Sequence, residues 1–126
     1  MCTKLQDKAQ RINTFIVDID GVLTDGRIGY STSSDEIKYF DVKDGHAIKL
    51  LLRAGIKTGA LSGRQSQANA HRARELGLQF LLENEKNKRE AFQRFLNDHE
   101  LNPEECLYMG DDLVDMPLVK RAGLGV

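Results

Sequence analysis

The chain has 126 residues and a formal net charge of −1, with acidic and basic residues in nearly equal numbers. This length suits one core, so we expect residues 1–126 to form a single domain. The basic residues are scattered, which argues against a nucleic-acid-binding surface. No apolar run could span a membrane, and the polar amino terminus lacks the apolar stretch of a secretory signal. Cys2, expected in a frayed terminus, and Cys106 share no metal-ligand spacing with any histidine, so we expect a reduced, cytoplasmic protein.

An apolar, β-branched run begins at Phe15 and is interrupted by Asp18, Asp20 and then Gly21. Such a run is typical of a fully buried strand. If the strand continues to Asp20, both acids point to one side of its carboxyl end, where open α/β sheets bind ligands. An acidic turn is the alternative, but unpaired charge beside a core is costly and a divalent cation would offset that cost. An aspartate at such a site can also act as a nucleophile.

The rest of the chain alternates helical and strand patterns. Residues 27–41 alternate apolar and polar residues around a Ser- and Thr-rich turn, which predicts a small β-hairpin. Asp44-Gly45 leads into a helix that ends at Gly55. We expect further strands at residues 57–61, 79–82, 106–109 and 124–126, and further helices at residues 65–76, 88–98 and 116–121, with a short helical turn from Asn102. This alternation predicts a parallel sheet with right-handed crossovers.

Polar residues follow three of the predicted strands and would meet at one edge of a parallel sheet. They are Asp18 and Asp20 after the first long strand, Ser62 after the second, and Asp111 and Asp112 after the fourth, with Lys88 at the start of a helix. Such a set suits phosphoryl transfer, because carboxylates can attack phosphorus or hold Mg²⁺ while lysine and hydroxyl groups bind phosphoryl oxygens. The alternatives are that Ser62 caps the following helix and that Lys88 belongs to a solvated, charged surface.

The order of these motifs resembles that of the haloacid dehalogenase superfamily. The matching segments are Asp18-Ile-Asp-Gly-Val-Leu-Thr24, Leu61-Ser-Gly-Arg64, Lys88 and Gly110-Asp-Asp-Leu-Val-Asp115. Asp25-Gly26, the hairpin and Phe40-Asp-Val-Lys-Asp-Gly45 are further similar to a capless branch, the 3-deoxy-D-manno-octulosonate 8-phosphate phosphatases and their close relatives. The resemblance covers about residues 12–126 and is specific because the motifs occur together and in order. It implies a parallel, three-layer, Rossmann-like sheet with a hairpin flap at residues 27–41 and no cap domain.

The resemblance implies a Mg²⁺-dependent phosphatase that forms an aspartyl-phosphate intermediate. Asp18 would be the nucleophile and Asp20 the general acid and base. The metal would be held by the side chains of Asp18 and Asp111 and by the backbone carbonyl of Asp20. The phosphoryl oxygens would be held by Ser62, Gly63 and Lys88. The residues implied in sugar-acid binding are Asp41, Val42, Lys43, Asp44, Gly45, Lys49, Arg64 and Arg72.

Four positions either stay unassigned by the motif or differ from what is common in relatives. Of Asp112 and Asp115, one would support the metal and the other would cap the last helix, and the motif does not assign them. Asp41 stands where relatives often have Asn or His. Lys49 stands where Arg is common, and lysine lacks the bidentate fork of arginine. The chain also ends at Val126, whereas relatives continue for roughly a third of a domain, a tail that usually completes the sheet and reaches a neighbouring active site.

The resemblance also implies a substrate, a pathway and an assembly. We expect a small phosphorylated sugar acid from lipopolysaccharide precursor synthesis, a homotetramer in which neighbouring subunits close each site, and no nucleic-acid or membrane partner. One alternative is a phosphatase for a related nine-carbon keto-acid phosphate, and another is a catalytically silent oligomerisation or regulatory module. A signalling receiver domain is a third, but it would carry its phosphoacceptor on the third strand, where this chain has no acid before Glu83.

Overall fold

The computed structural model describes residues 3–126, and Cys2 lies outside the described residues. The helices are α1 (Thr3–Arg11), α2 (Val42–Arg53), α3 (Gln67–Leu76), α4 (Lys88–Asp98) and α5 (Met116–Arg121). The strands are β1 (Thr14–Val17), β2 (Gly29–Tyr30), β3 (Glu36–Ile37), β4 (Lys57–Leu61), β5 (Phe80–Leu82), β6 (Cys106–Met109) and β7 (Leu124–Gly125). Short 3-10 helices occupy Pro103–Glu105 and Leu113–Asp115.

Five strands form one parallel sheet in the order β5-β4-β1-β6-β7. The central strand β1 pairs Phe15 with Thr58 of β4 on one side and with Leu107 of β6 on the other. The separate β2–β3 hairpin is antiparallel and projects from the connection between β1 and α2. The predicted α/β fold with a hairpin flap is therefore confirmed. Within residues 3–126 no insertion larger than this hairpin is present, as expected for a capless architecture.

Alternate residues of β1 face opposite sides of the sheet and build a core on each side. Ile16 belongs to the core that contains Phe92 of α4 and Leu118 of α5. Phe15 and Val17 belong to the opposite core, to which α2 and α3 contribute. All four residues of β1 are buried because helices cover both faces of the sheet, which explains its continuous apolar run. The molecule thus has the three predicted layers.

Elements with clear end signals have the predicted bounds, namely β4, β6, α4 and α5. The helix expected at residues 65–76 begins instead at Gln67, because Ser66 is its cap and accepts a hydrogen bond from the amide of Asn69 at 3.1 Å. It ends at Gly77, whose φ of 76° is a left-handed conformation that glycine adopts without strain. Ser62 therefore does not cap this helix.

Strand β1 ends earlier than Asp20, the last residue to which the sequence pattern could extend it. It ends at Val17, so Asp18 and Asp20 lie beyond the strand rather than on it. The amide of Asp18 still donates to the carbonyl of Met109 at 2.9 Å, but the backbone then turns, and the carbonyl of Ile19 accepts from the amide of Leu23 at 2.9 Å. Alternation along a strand therefore does not fix where the two carboxylates point.

Helix α2 begins earlier than the sequence suggested. The side chain of Asp41 accepts hydrogen bonds from the amides of Lys43 at 2.6 Å and Asp44 at 3.3 Å, which makes it the cap of this helix. Asp44 and Gly45 therefore lie inside its first turn instead of preceding it. Helix α1 was not predicted, because it is short and charged and buries none of its residues. None of the helices in residues 3–126 combines the length and hydropathy needed to cross a bilayer.

Candidate active site

The carboxyl ends of β1, β4 and β6 lie side by side, because these three strands are parallel neighbours. Asp18 follows β1 directly, Ser62 follows β4, and Gly110 and Asp111 follow β6. The predicted convergence at one sheet edge is therefore present in the backbone. It brings together residues that are up to 93 positions apart in the sequence.

Lys88 is the link between two carboxylates at this edge. Its Nζ lies 3.1 Å from Oδ1 of Asp18 and 2.7 Å from Oδ1 of Asp115, and its side chain is only 5% exposed. Lys88 is the first residue of α4, and Asn87 fixes this start by accepting a hydrogen bond from the amide of Glu90 at 3.2 Å. The alternative that Lys88 belongs to a solvated surface is wrong.

Asp115 is the most heavily bonded acid of the site. Besides Lys88, its Oδ1 accepts from the hydroxyl of Tyr108, and its Oδ2 accepts from the amides of Asp111 and Asp112, each at 3.2 Å. Burial raises the pKa of Asp115, but the hydrogen bonds from Lys88 and Tyr108 outweigh it and hold that pKa below its ordinary value. Asp115 is therefore ionised and rigidly placed.

Asp18 has the opposite electrostatic balance. Burial raises the pKa of Asp18 from 3.8 to about 6, the charge of Lys88 opposes that rise, and the nearby Asp115 adds to it. Its Oδ1 also accepts a hydrogen bond from the amide of Ile19 at 2.8 Å. The fold thus holds Asp18 in one orientation at a position where its negative charge is only partly balanced.

Three carboxylates at this edge could share a cation. Asp18, Asp111 and Asp115 each offer an oxygen, and these oxygens lie within 4.8 Å of one another. Three carboxylates and one lysine leave two negative charges, and carboxylate oxygens are the ligands that Mg²⁺ prefers. The residues present therefore fit a hard divalent cation.

Gly21 makes room for this arrangement. Its φ of 90° is in the left-handed region, and a Cβ at this position would lie 1.8 Å from Oδ2 of Asp111. A side chain here would displace an acid of the cluster. The glycine of the first motif is thus required both by the turn after β1 and by the approach of Asp111.

The structure separates the two acids that the sequence could not distinguish. Asp112 is exposed, and its Oδ1 accepts from the amide of Leu113 at 2.6 Å, as a cap of the short helix Leu113–Asp115. Asp115 is 1% exposed and belongs to the carboxylate cluster. Asp115 is therefore the acid beside the candidate metal site. The expectation that the other acid caps the last helix is wrong, because Asp112 caps the short helix Leu113–Asp115 and no side-chain hydrogen bond within residues 3–126 caps α5.

Ser62 is buried at the end of β4, and its Oγ accepts a hydrogen bond from the amide of Arg64 at 3.1 Å. This bond shapes the turn through Gly63. The hydroxyl can still donate, because its bond to Arg64 uses it only as an acceptor. The placement of Ser62 at the sheet edge is compatible with its predicted role toward phosphate.

The residues expected to bind the sugar acid do not form one cluster. Arg72 donates from Nη2 to the carbonyl of Asp41 at 3.1 Å and lies 5.4 Å from the ring centre of Phe40, and a Cβ on Gly45 would lie 2.5 Å from its Nη2. Arg64 lies in the turn after β4 and pairs with Glu36 of the hairpin. Within α2, the exposed members of the predicted set are Val42, Lys43 and Asp44 in the first turn and Lys49 in the second half.

One residue of the site was not predicted. Lys38 of the hairpin is buried, and its Nζ lies 2.9 Å from Oδ1 of Asp20. Its neighbours Ile37 and Tyr39 are exposed, 42% and 78% respectively. The alternation of the hairpin places residue 38 on the opposite face from its neighbours, but lysine is so commonly exposed that this pattern alone does not indicate a functional residue.

A comparison with protein families identifies the architecture. Residues 37–123 match the family model described as haloacid dehalogenase-like hydrolase. The chain belongs to this family. This family match confirms the resemblance seen in the motifs. It also argues against the alternative that the chain is a signalling receiver domain.

Two similar relatives within the family carry the same enzyme name. The chain is 36% identical over 124 residues to 3-deoxy-D-manno-octulosonate 8-phosphate phosphatase KdsC of Salmonella typhi, covering 98% of this chain and 66% of the relative. It is 37% identical over 119 residues to KdsC of Escherichia coli K12, covering 94% of this chain and 63% of the relative. The chain thus spans slightly less than two thirds of these curated relatives.

Solved structures give the same picture. The 3-deoxy-D-manno-octulosonate 8-phosphate phosphatase of Moraxella catarrhalis, in complex with magnesium ion, phosphate ion and KDO, has a TM-score of 0.94 and 34% identity, covering 99% of this chain and 72% of that one. The cobalt-bound deoxy-D-mannose-octulosonate 8-phosphate phosphatase of Haemophilus influenzae has a TM-score of 0.86 and 36% identity, covering 92% of this chain and 68% of that one. The chain is therefore similar in fold and sequence to this capless branch.

Proposed function

We propose that this chain is a Mg²⁺-dependent phosphomonoester hydrolase and that its substrate is 3-deoxy-D-manno-octulosonate 8-phosphate, a precursor of lipopolysaccharide. The observation that carries the proposal is buried Lys88, held between Asp18 and Asp115 at the sheet edge that also carries Asp111. The similarity to phosphatases of that sugar acid supports the substrate.

In the proposed reaction Asp18 attacks phosphorus, and the bond from phosphorus to the sugar oxygen breaks. Asp20 gives its proton to that oxygen, which leaves as the alcohol. Asp20, now ionised, takes a proton from water as the water oxygen attacks the phosphoryl group on Asp18. The products are inorganic phosphate and the free sugar acid, and Asp18 is restored as a carboxylate.

We assign to the remaining residues the binding roles that the motifs predict. Ser62, Gly63 and Lys88 would hold phosphoryl oxygens, and the ammonium of Lys88 would offset their charge. The side chains of Asp18 and Asp111 and the backbone carbonyl of Asp20 would hold Mg²⁺, with Asp115 supporting them. Bound Mg²⁺ would neutralise and orient the phosphoryl group.

The sugar acid would contact the residues between the hairpin, α2 and α3. Arg72 would bind its carboxylate or hydroxyl groups, and Arg64 would do so once released from Glu36. Lys49 would provide a point charge rather than the fork of an arginine, so we expect recognition there to be less directional. The other proposed contacts are Asp41, Val42, Lys43, Asp44 and Gly45.

Phosphate release from 3-deoxy-D-manno-octulosonate 8-phosphate is the first test. We expect turnover with Mg²⁺, loss of turnover with chelator, and slower release from the nine-carbon analogue and from 4-nitrophenyl phosphate. Preference for the nine-carbon ester would instead support the alternative substrate. A folded chain that releases phosphate from none of the three would contradict the phosphatase and favour a silent oligomerisation or regulatory module.

Asp115→Asn and Asp112→Asn should differ in their response to Mg²⁺. We expect Mg²⁺ to raise the melting temperature of the Asp112→Asn variant as it does that of the wild type, because asparagine also caps a helix. We expect a smaller rise for Asp115→Asn, since one carboxylate of the cluster is lost and two backbone amides and Lys88 lose a charged acceptor. Thermal unfolding over a Mg²⁺ titration measures both. Equal responses would contradict the assignment of the two acids.

The assembly and location are part of the same proposal. We propose one phosphatase domain over residues 1–126 and a homotetramer joined through the hairpins. Tyr30, Tyr39 and Val42 support such an interface because they are 64%, 78% and 83% exposed on or beside the hairpin. The proposed location is the cytoplasm, which suits the buried thiol of Cys106, whose pKa burial raises to about 11.

A further inference from the structure

Lys38 occupies a position that its type rarely takes. Its side chain is 0% exposed, while Ile37 and Tyr39 on either side of it face solvent. The hairpin has therefore turned its lysine inward and its apolar residues outward. A buried lysine must be paired, since an unpaired ammonium in the interior is strongly unfavourable.

The partners of Lys38 come from three parts of the chain. Its Nζ lies 2.9 Å from Oδ1 of Asp20 and 3.6 Å from Oε2 of Glu36, and it donates to Oδ1 of Asn69 at 2.9 Å. Asp20 follows β1, Glu36 lies in β3 and Asn69 lies in the first turn of α3. The ammonium thus ties the turn after β1 to the hairpin and to a helix.

This anchor is itself rigid. Asn69 is 1% exposed, and its Nδ2 donates to Oε2 of Glu83 at 3.1 Å, an oxygen that also accepts from the amide of Ser66 at 2.9 Å. Glu36 is held from the other side by Arg64. Lys38 therefore sits in a fixed polar network rather than on a flexible tether.

Asp20 needs such an anchor. Because β1 ends at Val17, Asp20 lies in a turn. Its backbone is outside the strand, so the regular direction of side chains along a strand does not orient its carboxyl group. Its Oδ1 is buried and contacts Lys38 as an ion pair without hydrogen-bond geometry, whereas the side chain as a whole is 21% exposed. The accessible part of the side chain consequently lies away from the ammonium.

We propose that Lys38 is a positioning residue that holds the Oδ1 of Asp20 and so turns the rest of the carboxyl group toward the oxygen that leaves phosphorus. The inference rests on the proposed function, in which Asp20 transfers the proton. It adds a role for the hairpin, because Asp20 is correctly oriented only when the hairpin is docked against α3. Small misplacements of a proton donor are costly in rate, so the effect is measurable.

Lys38→Met should slow esters according to their leaving group. We expect kcat/KM to fall about 10²-fold for the sugar-acid phosphate, whose alcohol needs a proton, and less than about threefold for 4-nitrophenyl phosphate, whose phenolate leaves without one. The ratio kcat/KM reports only the steps up to transfer onto Asp18, so the later role of Asp20 toward water does not enter. Equal losses on both esters would overturn the proposal.

Two further variants bracket the result. Lys57→Met removes an exposed lysine at the opposite end of β4 and should leave both esters unchanged. Asn69→Ala keeps Lys38 but removes one of its anchors, and we expect a selective loss of about tenfold on the sugar-acid phosphate. If Lys38→Met does not fold, an Asn69→Ala variant with no selective loss overturns the proposal.

Crystallography tests the role of Lys38 without any measurement of enzymatic turnover. In crystal structures of the wild type and Lys38→Met, we expect the carboxyl group of Asp20 to have left its wild-type position in the variant. An unchanged Asp20 would overturn the proposal. A wild-type chain inactive on both esters would defeat the proposed function alone, and the position of Asp20 would still decide the role of Lys38.

Discussion

Replacing Asp18 with asparagine is expected to abolish phosphate release and, in the absence of metal, to stabilise the fold at neutral pH. In the proposed reaction Asp18 is the nucleophile and an amide cannot replace its carboxylate, so we expect kcat to fall by more than about 10³-fold. The stability gain arises because burial raises the pKa of Asp18 to about 6, which means that the folded chain disfavours its ionised form. The neutral asparagine avoids this cost and keeps an oxygen that can accept from Lys88. The shift corresponds to a gain of roughly 1 to 3 kcal/mol.

The pH dependence has a definite sign. The pKa of Asp18 is about 6 in the folded chain against an ordinary value of 3.8, so the folded state binds the proton more tightly than the unfolded state. The contribution of Asp18 to stability is therefore most favourable below pH 3.8, falls as the pH rises toward 6, and is constant above that. The asparagine of the variant does not titrate, so the stability difference between variant and wild type should grow over this window.

Urea unfolding in chelator at several pH values between 4 and 8 measures this difference. Asp98→Asn is the matched control, because Asp98 is exposed at the end of α4 and its replacement should change stability little at any of these pH values. Added Mg²⁺ should stabilise the wild type more than Asp18→Asn and narrow the gap. A metal-free Asp18→Asn chain that is less stable than the wild type at pH 8 would contradict the expectation.

The sequence predicted those features of the fold that depend on neighbouring residues in the chain, and it missed those that depend on distant residues. The bounds of β4, β6 and α4 are set by local sequence signals, since apolar patterning and a capping residue such as Asn87 mark them directly. The end of β1 is not set by a local signal. It depends on the neighbouring strand β6, because the carbonyl of Met109 accepts the last ladder hydrogen bond from the amide of Asp18 before the chain turns. Patterns within one segment cannot report such a dependence.

The same distinction applies to the candidate site. Motif order predicted the convergence of Asp18, Lys88 and Asp111, and the parallel sheet supplies it. The distinction between Asp112 and Asp115 depends on the three-dimensional fold, because both follow β6 and only the path of the short helix buries one of them. Lys38 was missed for a related reason. Apart from nearby Glu36, its partners lie 18 and 31 positions away, so no local pattern reveals that its charge is needed inside.

Replacing Lys88 with methionine is expected to destabilise the metal-free fold by about 3 to 5 kcal/mol at neutral pH and to abolish activity. The ammonium is the cation shared by the two buried carboxylates, Asp18 at 3.1 Å and Asp115 at 2.7 Å, and methionine leaves both without it. Chemical denaturation in chelator measures the loss. Lys86→Met is the control, because Lys86 is exposed two residues earlier and no such loss is expected there.

Combining Lys88→Met with Asp18→Asn separates this electrostatic effect from a simple loss of packing. If the loss comes from uncompensated charge, Asp18→Asn should add more stability to the Lys88→Met chain than it adds to the wild type. Methionine fills a volume similar to the lysine stem, so a packing defect would give additive changes instead. Full additivity in the four-protein cycle would show that Lys88 does not balance Asp18. A large coupling would mean that buried Lys88 is what permits the folded chain to hold Asp18, the proposed nucleophile, as a carboxylate before any metal or substrate binds.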